Sequence, residues 1–350
     1  MVKLDANVMR HMSREDFRAL TAVEMGMKNH HAVPVPLIAA IASGRDKHSN
    51  ATSKVRRSLS SLLRFKLIFH DNTKYDGYRL TWAGYDVLAL RAFCQRGVVQ
   101  SLGSKIGEGK ESDVYEAFCD GEMFALKLHR LGKTSFKAVK AKRDYLDGNK
   151  KSAGNWLNVS RLAAKREFEF LEAVQGHVRT PRPVDLNRHA VLMSFVSGFT
   201  LYQVASFADR DPYEVFDDCL EALRKLAGLG LVHCDFNEFN LIVDRDEQIT
   251  VIDFPQAVST EHENADDYFR RDLRGLVKFF TTKIHPPLDL DVTLDLAGCK
   301  PSKNDPDRLD VRLRAPGFFP GRRAASSSAA TIIGGPSSAD DDDDDDDDDD

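Results

Sequence analysis

No apolar run in this 350-residue sequence approaches the roughly 18 residues that a membrane-spanning helix needs, which excludes a helical span. The longest candidate, Pro34 to Ala42, is half that, and the mean hydropathy is −0.38. Nothing apolar follows the opening MVKLDANVMR, so no secretory signal is visible. Cysteine is sparse and unpaired: Cys94, Cys119, Cys219, Cys234 and Cys299 form no CxxC pair and total an odd number. That excludes a disulfide framework or a cysteine-built zinc site, and sets the expectation of a reducing compartment, cytosolic or nuclear. No internal repeat is present.

What the sequence does have is charge, unevenly placed. Residues 1–97 carry 16 Lys/Arg against 8 Asp/Glu, whereas Asp340 to Asp350 contribute eleven consecutive carboxylates. A basic front suggests a polyanionic partner, and a like-charged run of that length cannot fold on itself. From about Gly321 the Arg, Ala, Ser and Gly content lacks a core-forming pattern, so a disordered appendage is expected.

The first hundred residues read as a winged helix. After Ser13, an N-cap type, Phe17, Leu20, Val23 and Met27 recur at near-helical spacing. Pro34 and Pro36 precede a short helix, Leu37 to Ser43. The cluster Ser49 to Thr52 then opens SKVRRSLSSLLRF, whose apolar stripe is Val55, Leu59, Leu62 and Leu63. LIFHD and YRLT flank TKYDG, where Asp76-Gly77 signals a hairpin, and a last helix runs from Trp82 to Leu90. In such a module residues 52–64 are the recognition helix, with Lys54, Arg56, Arg57 and Arg64 as nucleic-acid contacts. RNA and DNA remain equally open at this point, as does a protein-docking role for the same face.

The middle of the chain carries phosphoryl-transfer chemistry. Residues 106–115, IGEGKESDVY, read G-x-G-x-x-S-x-V: Gly107 and Gly109 let backbone amides approach phosphate oxygens, Ser112 stands at the third glycine, and Lys110 and Val114 complete the loop. Twelve residues past Tyr115, Lys127 sits in the apolar strand FALKL and needs an anion. A helix from Ser160 to Ala173 offers Glu167 or Glu169; Glu167 is preferred because Leu162, Phe170 and Leu171 place its face inward. LVHCDFNEFNLIVD fits H-x-D-x-x-x-x-N, with Asp235 accepting or orienting the proton of the attacking hydroxyl and Asn240 on a divalent cation. Thirteen residues later Asp253 ends a strand, where a carboxylate binds Mg²⁺ between phosphates. Each piece alone is weak; their order is what carries an ATP site.

Asp253 is followed by Phe254-Pro255 rather than Phe-Gly, and Asp272-Leu-Arg-Gly275, the buried-Asp motif of a central kinase helix, arrives 19 residues later. That interval holds no long peptide-gripping activation segment. Asn237 replaces the usual lysine two residues after the catalytic aspartate.

Taken together, GKESDVY, FALKLHRLG, TSFK, KRDY, HCDFNEFNL and IDFPQAVST resemble the RIO-type atypical protein kinases. MSREDFRALTAVEMGMKNH, the winged helix and IDFPQ resemble the Rio-two subfamily, over about residues 1–285. The resemblance implies an α+β architecture: a winged-helix domain (1–97), a two-lobed RIO kinase domain (98–290, lobes 98–193 and 197–290) and a low-complexity tail (291–350). It implies use of ATP with Mg²⁺ (Mn²⁺ substituting), serine autophosphorylation, and an ATPase cycle with Asp253 as phosphoacceptor. It further implies Asp235 as catalytic, Asn240 and Asp253 on the metal, Lys127 on the phosphates, and a hinge from Met193 to Val196 facing adenine through Ser194 and Val196. Its partners would be the precursor of the small (40S) ribosomal subunit, with pre-rRNA and small-subunit ribosomal proteins. The protein would be a cytoplasmic monomer that shuttles through the nucleus. The basic segment 132–155, with seven Lys/Arg, matches the family's flexible loop and offers phosphate contacts. Cys234 stands where the family has Gly, and Ser194 where an acidic residue is usual. Two other functions share these residues: a small-molecule phosphotransferase, and an ATP-binding assembly factor without turnover.

Overall fold

The computed structural model describes residues 4–44, 51–109, 111–131 and 156–317. Its first part is three helices and a hairpin: α1 (Arg14–Gly26), α2 (Val35–Ser43), α3 (Ala51–Arg64), β1 (Ile68–Asp71) and β2 (Gly77–Leu80), closed by α4 (Trp82–Arg96). Ser13 caps α1 in a reciprocal box, accepting from Asp16 N–H while its own N–H donates to the Asp16 carboxylate. Thr81 caps α4 by accepting from Gly84 N–H. The hairpin differs from expectation in one respect. Gly77 is not in the turn but pairs with Asp71 inside the ladder. A Cβ there would lie 2.9 Å from Ala32 Cβ and 3.0 Å from Val33 N, because Val33 bridges to Tyr78 beside it. Close backbone approach, not turn geometry, requires the glycine.

Helix α4 runs to Arg96, well past Leu90, and is buried on nearly every face. Tyr85 and Leu88 enter the winged-helix core, while Leu90 and Phe93 pack on the next sheet with Leu126, Leu128 and Leu192. A helix shared between two cores shows no clean apolar stripe, which is why its length was not legible. A buried ion network reinforces the contact: Arg130 reaches Asp86 at 2.8 Å and Asp113 at 2.6 Å, and His189 reaches Asp86 at 2.8 Å.

That sheet is five-stranded and antiparallel, in the order β3 (Ser101–Glu108), β4 (Ser112–Cys119), β5 (Glu122–His129), β7 (Ala190–Ser194), β6 (Pro183–Asn187). Asp120 and Gly121, both at positive φ, make the two-residue β4–β5 turn. Helix α5 (Trp156–Val174) packs against it. The second lobe holds β8 (Phe199–Thr200), α6 (Pro212–Gly228), the pairs β9 (Leu231–Val232) with β12 (Val258–Ser259) and β10 (Leu241–Val243) with β11 (Ile249–Val251), and α7 (Ala265–Thr282).

The lobe does not end at residue 290. Helices α8 (Leu296–Cys299) and α9 (Leu309–Leu313) carry Leu296 and Leu309 into its core, joined by Ala315. This corrects the reading of 291–317 as tail. Leu309 N–H donates to Leu229 O, Ser259 N–H to Pro316 O, and Ser259 Oγ to Asp310 Oδ2 at 2.6 Å. Arg308 also donates to the fully buried Asp310 carboxylate. Asp310→Ala leaves Arg308 and Ser259 without that acceptor, and is expected to cost on the order of 3 kcal/mol, read as a lowered urea midpoint. The polyaspartate run and residues 132–155 lie outside the described residues.

Candidate active site

Alternation along β5 builds one half of the site. Phe124, Leu126 and Leu128 face the α4 core, so Ala125, Lys127 and His129 face the other way, toward α5. From α5, Glu167 meets them: Lys127 Nζ donates to Glu167 Oε1 at 2.6 Å. Glu169 instead pairs with Lys165 at the surface. Leu162, which pointed to the inward face, is itself exposed; Ala163, Ala164 and Phe170 bury that face. Lys127 Nζ also lies 2.9 Å from Asp253 Oδ1, so one ammonium bridges two carboxylates. Burial alone would lower the Lys127 ammonium, but the charges of Asp253 and Glu167 raise it above its ordinary value. The same attraction outweighs burial for the acids and holds Glu167 and Asp253 below theirs. All three are therefore charged at neutral pH.

The catalytic-loop half is held by amides. Asn237 Nδ2 donates to Asp235 Oδ1 at 2.9 Å, and Asn240 Nδ2 donates to Asp235 Oδ2 at 3.0 Å. Thus Asn237, noted only as a missing lysine, fixes the orientation of the Asp235 carboxylate. The loop turns at Cys234, φ +66°, and Asp253 lies at φ +69°. A side chain in that region costs roughly 1 kcal/mol or more, so Gly is the unstrained choice at 234. Arg271 donates to the Cys234 carbonyl, and the Asp272 carboxyl lies near the backbone N–H groups of Phe236 and Cys234.

Burial pushes the Asp272 carboxyl up to about 7, against the pull of Arg271 and those N–H groups. Its ordinary value is 3.8, so between pH 4 and 7 the unfolded chain releases a proton that the folded chain keeps. Stability from this group falls as pH rises through that window. His233 acts oppositely: burial lowers it from 6.5 to about 4, so its contribution is lost as pH falls below 6.5. Urea midpoints of wild type and Asp272→Asn at pH 5, 6, 7 and 8 separate the two. The wild type is expected to lose stability relative to the variant, by a few kcal/mol, up to pH 7 and no further.

Over the sheet, Gly107 pairs with Val114, and Gly109 N–H donates to Ser112 O across the β3–β4 turn. Lys110 lies outside the described residues. Met193 is buried at the end of β7, Ser194 N–H donates to Arg182 O, and Val196 follows in the connection to the second lobe. Among the described residues no three His, Cys, Asp or Glu side chains gather as a metal cage. A carboxylate from Asp253 with an amide oxygen from Asn240 is a hard-oxygen set that suits Mg²⁺ completed by phosphates and water.

On the winged helix, Lys54, Arg57 and Arg64 line one groove of about 780 Å³ with Ser58, Ser60 and Ser61. Glu15 and Asp16 share that groove, while exposed Arg56 lies outside it. His129 was missed altogether: its Nε2 lies 2.6 Å from Glu167 Oε2. Two-residue alternation from Lys127 was the available signal.

Residues 113–293 match the RIO domain, and residues 9–96 match the Rio2 N-terminal domain. The chain is 47% identical over 286 residues to the serine/threonine-protein kinase rio2 of Dictyostelium discoideum, covering 81% of this chain and 53% of that one. With the rio2 kinase of Schizosaccharomyces pombe it shares 42% identity over 321 residues, 91% of this chain and 89% of the relative. That alignment extends beyond residue 285, the limit of the motif resemblance. The chain thus spans about half the length of the Dictyostelium relative but most of the fission-yeast one. A crystal structure described as the Rio2 kinase-ADP/Mg²⁺-phosphoaspartate complex from Chaetomium thermophilum superposes with a TM-score of 0.76 at 40% identity, covering 91% of this chain and 95% of that one.

Proposed function

The chain belongs to the Rio2 branch of the RIO-type serine/threonine kinases, and from that premise we propose that it is an Mg²⁺- and ATP-dependent kinase and ATPase that forms an aspartyl-phosphate on Asp253. The observation that carries the reading is the bridge from Glu167 through Lys127 to Asp253. It places a carboxylate oxygen against the ammonium that would hold the phosphates. The Chaetomium relative, crystallised with ADP, Mg²⁺ and a phosphoaspartate, supports the same chemistry here.

In this cycle the backbone of Ser194 and Val196 faces adenine, Gly107, Gly109, Lys110, Ser112 and Val114 cover the phosphates, and Lys127 holds them. Asn240 and Asp253 hold Mg²⁺, or Mn²⁺ in its place, which neutralises phosphate charge. An Asp253 oxygen attacks the γ-phosphorus, the bond to the β-phosphate bridging oxygen breaks, and ADP leaves. Asp235 then takes a proton from the water that cleaves the acyl phosphate, or from a serine hydroxyl in autophosphorylation. Only residues 254–264 separate Asp253 from α7, and Phe254, Ala257, Val258 and Ser259 among them are buried. Little chain is left to grip a peptide, which favours a switch over a general peptide kinase.

The partner we propose is the maturing small ribosomal subunit, with pre-rRNA phosphates on Lys54, Arg57 and Arg64 and with Arg56 beside them, the protein acting as a cytoplasmic monomer that shuttles through the nucleus. ATP hydrolysis is to be measured with and without purified pre-small-subunit particles, with hydroxylamine trapping of the acyl phosphate. Wild type should turn over and trap; Asp253→Ala should still bind ATP but do neither, and should stay on the particle. Unchanged turnover in Asp253→Ala overturns the aspartyl-phosphate.

A further inference from the structure

We infer that His129 is a positioning residue for phosphoryl transfer: it fixes the second oxygen of Glu167, and through Glu167 the position of Lys127. The inference rests on the function proposed above. Strand alternation puts Lys127 and His129 on one face of β5, and both reach the same carboxylate, Lys127 at Oε1 and His129 at Oε2, each at 2.6 Å. At that distance the ring nitrogen and Oε2 are in direct polar contact, and among the described residues neither atom has a hydrogen-bond partner elsewhere. His129 and Glu167 are both almost fully buried, so water does not compete for Oε2.

A carboxylate gripped at one oxygen can rotate about its last side-chain bond; gripped at both, its plane is set. Lys127 must be set to within a fraction of an ångström to hold phosphates along the reaction path. It is pulled toward Asp253 as well, at 2.9 Å, so a loose Glu167 would let the ammonium drift to that side. The strand's own pairing cannot prevent this, because four rotatable side-chain torsions lie between the backbone and Nζ. His129 is itself anchored: its backbone N–H donates to the His189 carbonyl in the turn that leads into β7. Its neighbour Arg130 points the other way, into the Asp86 and Asp113 carboxylates, which pins the strand end that carries both.

The test is a double-mutant cycle on the full chain: wild type, His129→Phe, Glu167→Gln and the pair, with His129→Gln as the variant that keeps a donor. His129→Phe should lower kcat for ATP hydrolysis about ten- to one-hundred-fold with KM changed less than three-fold. His129→Gln should recover most of that loss, and His129→Phe should cost nothing further in the Glu167→Gln background. A second readout needs no nucleotide turnover: acetic anhydride labelling of Lys127, read by mass spectrometry in nucleotide-free protein. Labelling should rise several-fold in His129→Phe and rise no further when that change is added to Glu167→Gln. A purely structural role would lower the thermal midpoint and reduce kcat by the same factor in both backgrounds; that result overturns the inference. So does wild-type kcat in His129→Phe. If wild type itself shows no turnover, the proposed function fails, while the labelling cycle still decides whether His129 sets Lys127.

Discussion

Asp235→Asn is expected to reduce ATP turnover about 1,000-fold, measured by chemical quench in a single turnover, while the dissociation constant for ATP stays within a few-fold. The substitution is nearly isosteric, so the loop backbone has no reason to move. What changes is proton affinity and the match to two neighbours. Asn237 and Asn240 each donate an amide N–H to one oxygen of the carboxylate. A carboxylate accepts at both; an amide accepts at one and presents N–H₂ at the other, so one of the two contacts turns into donor against donor. The variant therefore loses the base and one of the two amide contacts, either that of Asn237 or that of Asn240, a proposed Mg²⁺ ligand that still donates to the Asp235 backbone carbonyl at 2.8 Å. Affinity for ATP without Mg²⁺ should be untouched, and affinity with Mg²⁺ should weaken slightly. Asn237→Ala tests the orienting half alone: it keeps the carboxylate and should cost about ten-fold or less. Turnover of Asp235→Asn within ten-fold of wild type would remove Asp235 as the proton acceptor.

The residues of this site were legible because phosphoryl transfer fixes residue types at a set chain order. Lys127, Asp235, Asn240 and Asp253 each sit in or beside a short apolar strand, and a charged or amide side chain there stands out. The apolar pattern that turns Glu167 inward is only partly real: of Leu162, Phe170 and Leu171, Leu162 is exposed and only the other two are buried. His129 and Asn237 were not legible, because their importance lies in a partner far along the chain or in a side-chain rotamer, and neither leaves a periodic trace. Gly77 was seen but for the wrong reason: a turn and a close backbone approach call for the same residue type, and only packing against Val33 separates them. Residues 291–317 failed differently. Their anchors, Leu296, Leu309 and Ala315, are far apart and separated by polar stretches such as KPSKNDPDR, so no apolar period exists to detect. What holds them is the buried Asp310 with Arg308 and Ser259, a contact between distant parts of the chain.

Lys127→Met should combine the largest kinetic and thermodynamic losses. The methionine fills the same channel but leaves Glu167 and Asp253 without the ammonium that bridges them. Removing one partner of a buried ion group costs about 3–5 kcal/mol, and ATP turnover should fall about 100- to 1,000-fold with it. The pH dependence distinguishes this cause from a packing defect. In wild type the lowered Glu167 and Asp253 carboxyls add stability that is present above their ordinary values of 4.5 and 3.8 and is lost as pH falls through the lowered ones. Without Lys127, burial acts on Glu167 with only His129 left to oppose it, so its carboxyl rises instead. The variant then loses an extra increment of stability as pH climbs from about 4.5 toward neutrality, beyond the Asp272 and His233 changes that it shares with wild type. The gap between their urea midpoints should therefore be small near pH 4.5 and widest at pH 7.5. Lys127→Arg keeps the charge and should close most of that gap while restoring little turnover, because a planar guanidinium cannot place one point charge between Glu167, Asp253 and a phosphate. A gap that is constant with pH would mean that lost packing, not the two unpartnered carboxylates, accounts for the damage.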